Sequence, residues 1–229
     1  MSGEGSVGKP GGPPVPERRA YPPSAFREMR PEVLEDFIRA NPFGQLITAG
    51  SDGLHASGAP FTVRHGSGGI ALEAHVPRAN PHALRDGAQA LVLFQGPHAY
   101  VRPGWYPAKA RDGRVVPTWN YIVVQARGTI SIVEDAAWLR AQLEDLSAHQ
   151  EGGFPDPWSP ADAPSDYIDR LTRGLVGVRL ESVQLEGVWK LSQNHPRENR
   201  LGVIAGLSGL ADPGSLAIAE AMIELESGD

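Results

Sequence analysis

From Phe43 to Ile132 the chain repeats one arrangement that narrows what it can fold into: β-prone runs cut apart by short turn-forming stretches. Phe43 to Ala49 stops at Ser51-Asp52-Gly53, Leu54 to Arg64 stops at the glycine-rich Gly66 to Gly69, and Ile70 to Val76 stops at Pro77. Ala90 to Gln95, the long β-branched run Tyr121 to Ile132, and Leu175 to Leu185 follow. Strands linked by turns, with few helices among them, predict a mainly β fold with flanking helices, and a closed barrel is its simplest form. Helices are predicted at the edges of this pattern. Pro31 opens one that sets Val33, Leu34, Phe37 and Ile38 on a single face and ends at Asn41-Pro42. Glu134-Asp135 introduce a second, with Trp138, Leu139, Leu143 and Leu146 at core spacing. A short helix is expected near Tyr167 to Leu171, and an amphipathic one over Pro213 to Glu226. GGFPDPWSPADAP is too proline-broken to be an element.

Residues 1–20 are rich in Gly and Pro and carry almost no aliphatic side chains, which predicts a disordered tail before a single domain over 21–229. At 229 residues the chain is long enough to bury a core without covalent staples. It has no cysteine, so disulfides, iron–sulfur clusters and a thiol nucleophile are excluded. A formal charge of −6 and the lack of a Lys/Arg cluster argue against direct DNA binding. With no long apolar run and no signal-peptide core, the expectation is a cytoplasmic protein without a membrane span. There is no P-loop, GxGxxG or internal repeat, so an ordinary nucleotide-binding α/β sheet is not expected.

The densest chemistry lies between His75 and Tyr121. Arg78 precedes Asn80-Pro81, and since Asn caps helices and Pro suits their first position, a helix is predicted to start at Asn80. Free N–H groups at that start, with Arg78 beside them, suit a phosphate. Read alone, the segment suits an ordinary capped helix with a solvated Arg equally well. Farther on, Trp105 and Tyr106 sit between prolines on a stiff loop ahead of Lys109, an arrangement able to stack on a planar ring and meet its acid groups. Thr118, Trp119 and Asn120 bring hydroxyl, indole and amide groups to the start of the next strand. Near the C-terminal third, EGVWKLSQN gathers Trp189, Lys190, Ser192, Gln193 and Asn194. Taken singly, the tryptophans suit a core and this last segment suits a solvated turn.

Together these words resemble a known family. ANPFGQLIT, DGLHAS, AHVPRANPH, FQGPHAYVRPGWYPAK, VPTWNY, HQEGGFPDPW and EGVWKLSQN stand in the order found in the PaiB-like proteins, the FMN-binding negative transcriptional regulators, over about residues 20–207. The resemblance implies an FMN-binding split β-barrel related to the pyridoxamine-phosphate-oxidase barrels, forming a homodimer with flavin at the interface. In that picture Arg78 and Asn80 hold the phosphate. Lys109, Thr118 and Asn120, with Lys190 and Gln193 from the partner subunit, contact ring or phosphate, and Trp105 and Trp119 wall the pocket. The implied activity is redox or regulatory, acting on or through a small molecule, and no catalytic residue is placed by sequence.

The chain departs from the family pattern at four positions. Gly58 replaces the His of an SHLP-like word, Arg102 and Gly104 replace the two serines of YVSPSWY, and Val188 replaces a Lys. Some PaiB-like proteins, the piperazate synthases, are haem enzymes that form an N–N bond. A haem enzyme on this scaffold is therefore an alternative, and His75, His82 or His98 would have to ligate the iron. A non-enzymatic regulator is the third reading.

Overall fold

The structure is a computed structural model, and it describes residues 22–66 and 68–227; the tail expected over 1–20 lies outside them. In chain order the strands are β1 (Arg27–Glu28), β2 (Phe43–Gly50), β3 (Gly53–Pro60), β4 (Thr62–Gly66), β5 (Gly69–Pro77), β6 (Gln89–Val101), β7 (Thr118–Val133) and β8 (Leu175–Lys190). The helices are α1 (Pro31–Ala40), α2 (Ala108–Arg111), α3 (Ala136–Glu151), α4 (Ser165–Thr172), α5 (Arg197–Ser208) and α6 (Pro213–Ser227).

All eight strands join one antiparallel sheet in the order β3-β2-β6-β7-β8-β5-β4, with β1 on β8. The two ends of that order, β3 and β4, are neighbours in sequence, separated only by Phe61, whose N–H donates to Pro42 O at 2.8 Å. The sheet therefore curls round on itself as a split barrel closed by its own chain. Side chains alternate in and out along each strand. The inward set, Leu46, Leu72, Val92, Phe94, Val124, Val178 and Leu180 among them, is sealed from solvent, and Leu34 and Ile38 of α1 pack into it. Each such side chain contributes roughly 1.5–3 kcal/mol on burial. A second core forms where the ends of β6 and β7 meet α5 and α6, through Val101, Ile122, Leu191, Val203, Leu207, Ile218 and Met222. Phe37 and Trp189 touch both cores and meet edge to face, centroids 5.3 Å apart.

Helix α1 follows the expected bounds, and α3 begins as read, with the Asp135 carboxylate accepting from Trp138 N–H at 2.7 Å. Several expectations need correction, among them GGFPDPWSPADAP, which holds a capped 3-10 turn at Pro160–Asp162. The run from Leu54 is two strands, because the chain turns inward at Phe61 to bury its ring. The helix expected from Asn80 is one 3-10 turn, Pro81–Leu84, which has no macrodipole to offer. The stiff aromatic loop is in part regular: β6 runs on to Val101, Trp105 ends a 3-10 turn and Lys109 lies in the single turn of α2. Finally, α5 occupies a stretch for which no element was expected.

Candidate functional site

At the far end of β6 and β7, Tyr100 lies opposite Trp119 and His98 opposite Tyr121, and Tyr121 in turn lies opposite Lys190 of β8. Residues directly opposite share a sheet face, so these five side chains belong to one surface. The rings touch: His98 and Trp119 centroids are 5.4 Å apart, Tyr100 and Trp119 6.0 Å. Trp119 is 50% exposed, unusual for so large an apolar group. Past Val101 the chain carries Arg102 and then Trp105, which packs flat on α5 because Gly202 and Gly206 leave room there: a Cβ at 206 would lie 2.3 Å from the indole. His98, Tyr100, Arg102, Trp105 and Trp119, with Leu210 and Asp212 of the α5–α6 connection and Gly214 at the start of α6, enclose an open cleft of about 660 Å³.

Lys190 closes β8 beside this surface. Its ammonium donates to Thr118 Oγ1 and Trp119 O, both at 2.6 Å, and lies 5.8 Å from the Tyr121 ring centre. No carboxylate pairs with it among the described residues, and burial lowers its pKa. Two neutral acceptors leave one N–H and the whole charge uncompensated. That is the local chemistry of a site for an anion or an electron-rich edge.

Asn120 and Gln193, also expected at the ligand, do not lie on this surface. Asn120 is fully buried, its amide donating to Met222 Sδ at 3.4 Å and its Oδ1 accepting from Ser192 Oγ at 3.1 Å, because alternation from Thr118 sends it into the second core. Gln193 folds back on its own turn, accepting from Leu191 N–H at 2.7 Å and donating at 2.5 Å to Trp189 O. Ser192 between them has φ 67°, a left-handed conformation that costs a non-glycine residue about 1–3 kcal/mol. Tyr106, read together with Trp105 as able to stack on a planar ring, is buried and stacks instead on His195, centroids 5.0 Å apart; burial, then the charge of Lys190, lowers the His195 pKa. Lys109 is exposed on α2 with no partner among the described residues.

Arg78 and Asn80 lie elsewhere. Arg78 follows Pro77, which faces Leu175 at the start of β8, whereas Lys190 ends that 16-residue strand. Some 3.3 Å of rise per residue separates them by on the order of 50 Å of strand path. Arg78 Nε donates to Arg173 O at 2.9 Å and its Nη1 sits 3.4 Å from Glu134. Asn80 caps the 3-10 turn through His82 N–H and donates to Ser57 Oγ at 3.1 Å. The two groups of candidate residues thus lie at opposite ends of β8.

The histidines considered for haem divide clearly. His75 is tied to Gln142 at 2.7 Å under α3, and His82 is sealed from solvent against Thr48 Oγ1 at 3.0 Å, leaving His98 as the one open to the cleft. At Gly58 the Phe43 ring fills the space a side chain would take, 2.5 Å from a Cβ there. Val188 is buried at 3% exposure, where a lysine would carry a desolvation cost.

Residues 20–183 match the family model described as Putative FMN-binding domain. An uncharacterized protein of Aspergillus fumigatus is 33% identical, over 84% of this chain and 92% of its own length. Protease synthase and sporulation protein PAI 2 of Bacillus subtilis is 28% identical, over 88% of this chain and 96% of its own. Among solved structures, the FAD and Heme binding protein from Mycobacterium smegmatis superposes with a TM-score of 0.52 at 15% identity, over 76% of this chain and 78% of that one. Among the described residues no group of His, Asp and Glu is arranged to hold a metal ion, and no helix is long and apolar enough to cross a membrane.

Proposed function

The chain belongs to the family described as Putative FMN-binding domain, and from that we propose that it is a homodimeric split-barrel flavoprotein holding FMN between two subunits. The observation that carries this reading is Lys190, a half-buried cation with no acid partner among the described residues, set beside the exposed Trp119. A flat, partly anionic heterocycle satisfies both. The ring-binding end, Thr118, Trp119 and Lys190 with Trp105 as a wall, lies far from Arg78 and Asn80, so a site using both draws on two chains. The sheet offers a surface for that pairing: the outward face of β2, β3 and β6 exposes Phe43 at 63% and Leu54 at 78%, with Ile47, Leu91 and Leu93 half-buried between them. In the proposed dimer a two-fold axis across this face pairs the Lys190 end of one chain with the Arg78 end of the other, giving two equal sites.

FMN, when bound, supplies one- and two-electron redox chemistry. The chain's own contribution is to hold and bias it. Lys190 stabilises negative charge at whatever edge it meets, Arg78 takes the phosphate once it exchanges Glu134 for that anion, and the tryptophans keep water from the ring face. Asn120, Ser192 and Gln193 act one layer behind, fixing the turn that aims Lys190.

The test is a complementation. Losing one charge-assisted hydrogen bond costs roughly 1.5–3 kcal/mol, so Arg78→Ala and Lys190→Ala are each expected to weaken FMN binding by about tenfold or more. Mixing the two variants under exchange should restore tight binding at about one quarter of the sites, since half the dimers are mixed and each has one intact pair. Unchanged affinity in both variants, or no restoration on mixing, overturns the reading. His98 gives the haem alternative one accessible ligand; a single intense Soret band in place of a two-band flavin spectrum would establish it. A protein that takes up neither cofactor would favour a regulator.

A further inference from the structure

Arg102 carries an inference that goes beyond flavin binding. It stands on the rim of the aromatic cleft, exposed, with no hydrogen bond or ion pair from its guanidinium among the described residues. The side chain is folded back rather than extended into solvent: its Nε lies 3.4 Å and its Nη2 3.6 Å from where a Cβ on Gly104 would be. A Cβ at 104 would just meet the guanidinium at ordinary contact distance, so a bulky side chain there would compete with it for the same space. The walls are the rings of His98, Tyr100, Trp105 and Trp119. Asp212, the cleft's one carboxylate, is already engaged, accepting from Ser215 N–H at 2.8 Å at the start of α6.

We propose that this cleft is a subsite for a planar aromatic carboxylate, with Arg102 gripping the acid group while the rings of Tyr100 and His98 receive the ring, next to the Trp119 face that the flavin reading gives to the cofactor. The unpaired fork matches a carboxylate through two parallel N–H donors, and a flat ring gains from the exposed aromatic faces. The inference rests on the flavin reading only in making this ligand the substrate or effector beside the cofactor; its binding sense depends on the cleft alone.

Tryptophan fluorescence gives the test, with 2-naphthoate as probe, 2-naphthamide as its uncharged counterpart and cyclohexanecarboxylate as its non-planar one. Naphthoate should quench saturably and bind at least about tenfold tighter than either control, as one charge-assisted pair predicts. Arg102→Gln should bring naphthoate down to the level of naphthamide, Arg102→Lys should retain part of the preference, and Gly104→Leu should weaken naphthoate by crowding the guanidinium. Equal binding of naphthoate and naphthamide, absence of saturable quenching, or undiminished naphthoate affinity in Arg102→Gln overturns the proposal. FMN is titrated separately by flavin fluorescence. Naphthoate selectivity without FMN uptake would sink the flavin reading and leave this one standing; FMN uptake without the selectivity would do the reverse.

Discussion

His82 shows what one residue's burial does to the whole chain. It has no exposed surface, its Nδ1 meets Thr48 Oγ1, and its Nε2 has no partner among the described residues. Burial, and then the charges of His55 and Arg85, lower its pKa. Nearby, His55 and then Arg85 hold the Asp52 carboxyl at about 2. The sign for His82 follows. Above the ordinary histidine value of about 6.5 it is neutral in both states; below it the unfolded chain takes a proton that the folded chain refuses, so stability falls with pH down to the folded-state pKa. Chemical denaturation across that window should show the decline, and His82→Gln should lessen it, leaving the slope that His195 contributes for the same reason. An equally steep slope in the variant would discount His82. The same scale shows why the site was half legible. Thr118, Trp119 and Lys190 do come together, but Asn120 does not join them. Chemistry is written in the residue type, whereas the face is set by alternation along a strand, and because β7 begins at Thr118 rather than at the expected Tyr121, Trp119 and Asn120 fall on opposite faces.

At the scale of elements, the outline of α1, α3, α6 and most strands was legible from period and caps, because the apolar positions that repeat in sequence are those that face a core. Helix α5 was not. Its GVIAGL core puts Gly202 and Gly206 on one face, which reads as a break, yet those glycines are where Trp105 sits. Tertiary packing overrides the local cost of glycine, about 1 kcal/mol each. Gly206→Ala should therefore destabilise the protein despite its better helix propensity. Driving a methyl into the indole costs about 1–3 kcal/mol, read as a lower denaturation midpoint together with a shifted Trp105 emission. A stabilised variant would show that Trp105 is not seated there. The Asn80 turn erred the other way: its cap was read correctly, but Arg85 to Gly87 turn the chain into β6 after a single turn, and a cap cannot reveal how long its helix runs.

For the whole molecule, the pairing of subunits across the β2–β3–β6 face is the step on which the shared site depends. Phe43→Glu would set two like charges close to a two-fold axis and also open the space over Gly58. Sedimentation velocity should then report monomers, and FMN affinity should fall by at least about tenfold. A variant that stays dimeric and keeps FMN would move the interface elsewhere. The sheet order carries a different consequence. Strand β8 is bonded to β1, β5 and β7 at once, although it is the last strand made. Until the ribosome has released residues as late as Lys190, β5 and β7 must wait with bare edges, and every earlier hairpin is a half-built shell. In a cell this protein should lean on chaperones during its synthesis, and a stop codon placed anywhere before β8 should yield insoluble chains rather than a smaller folded piece.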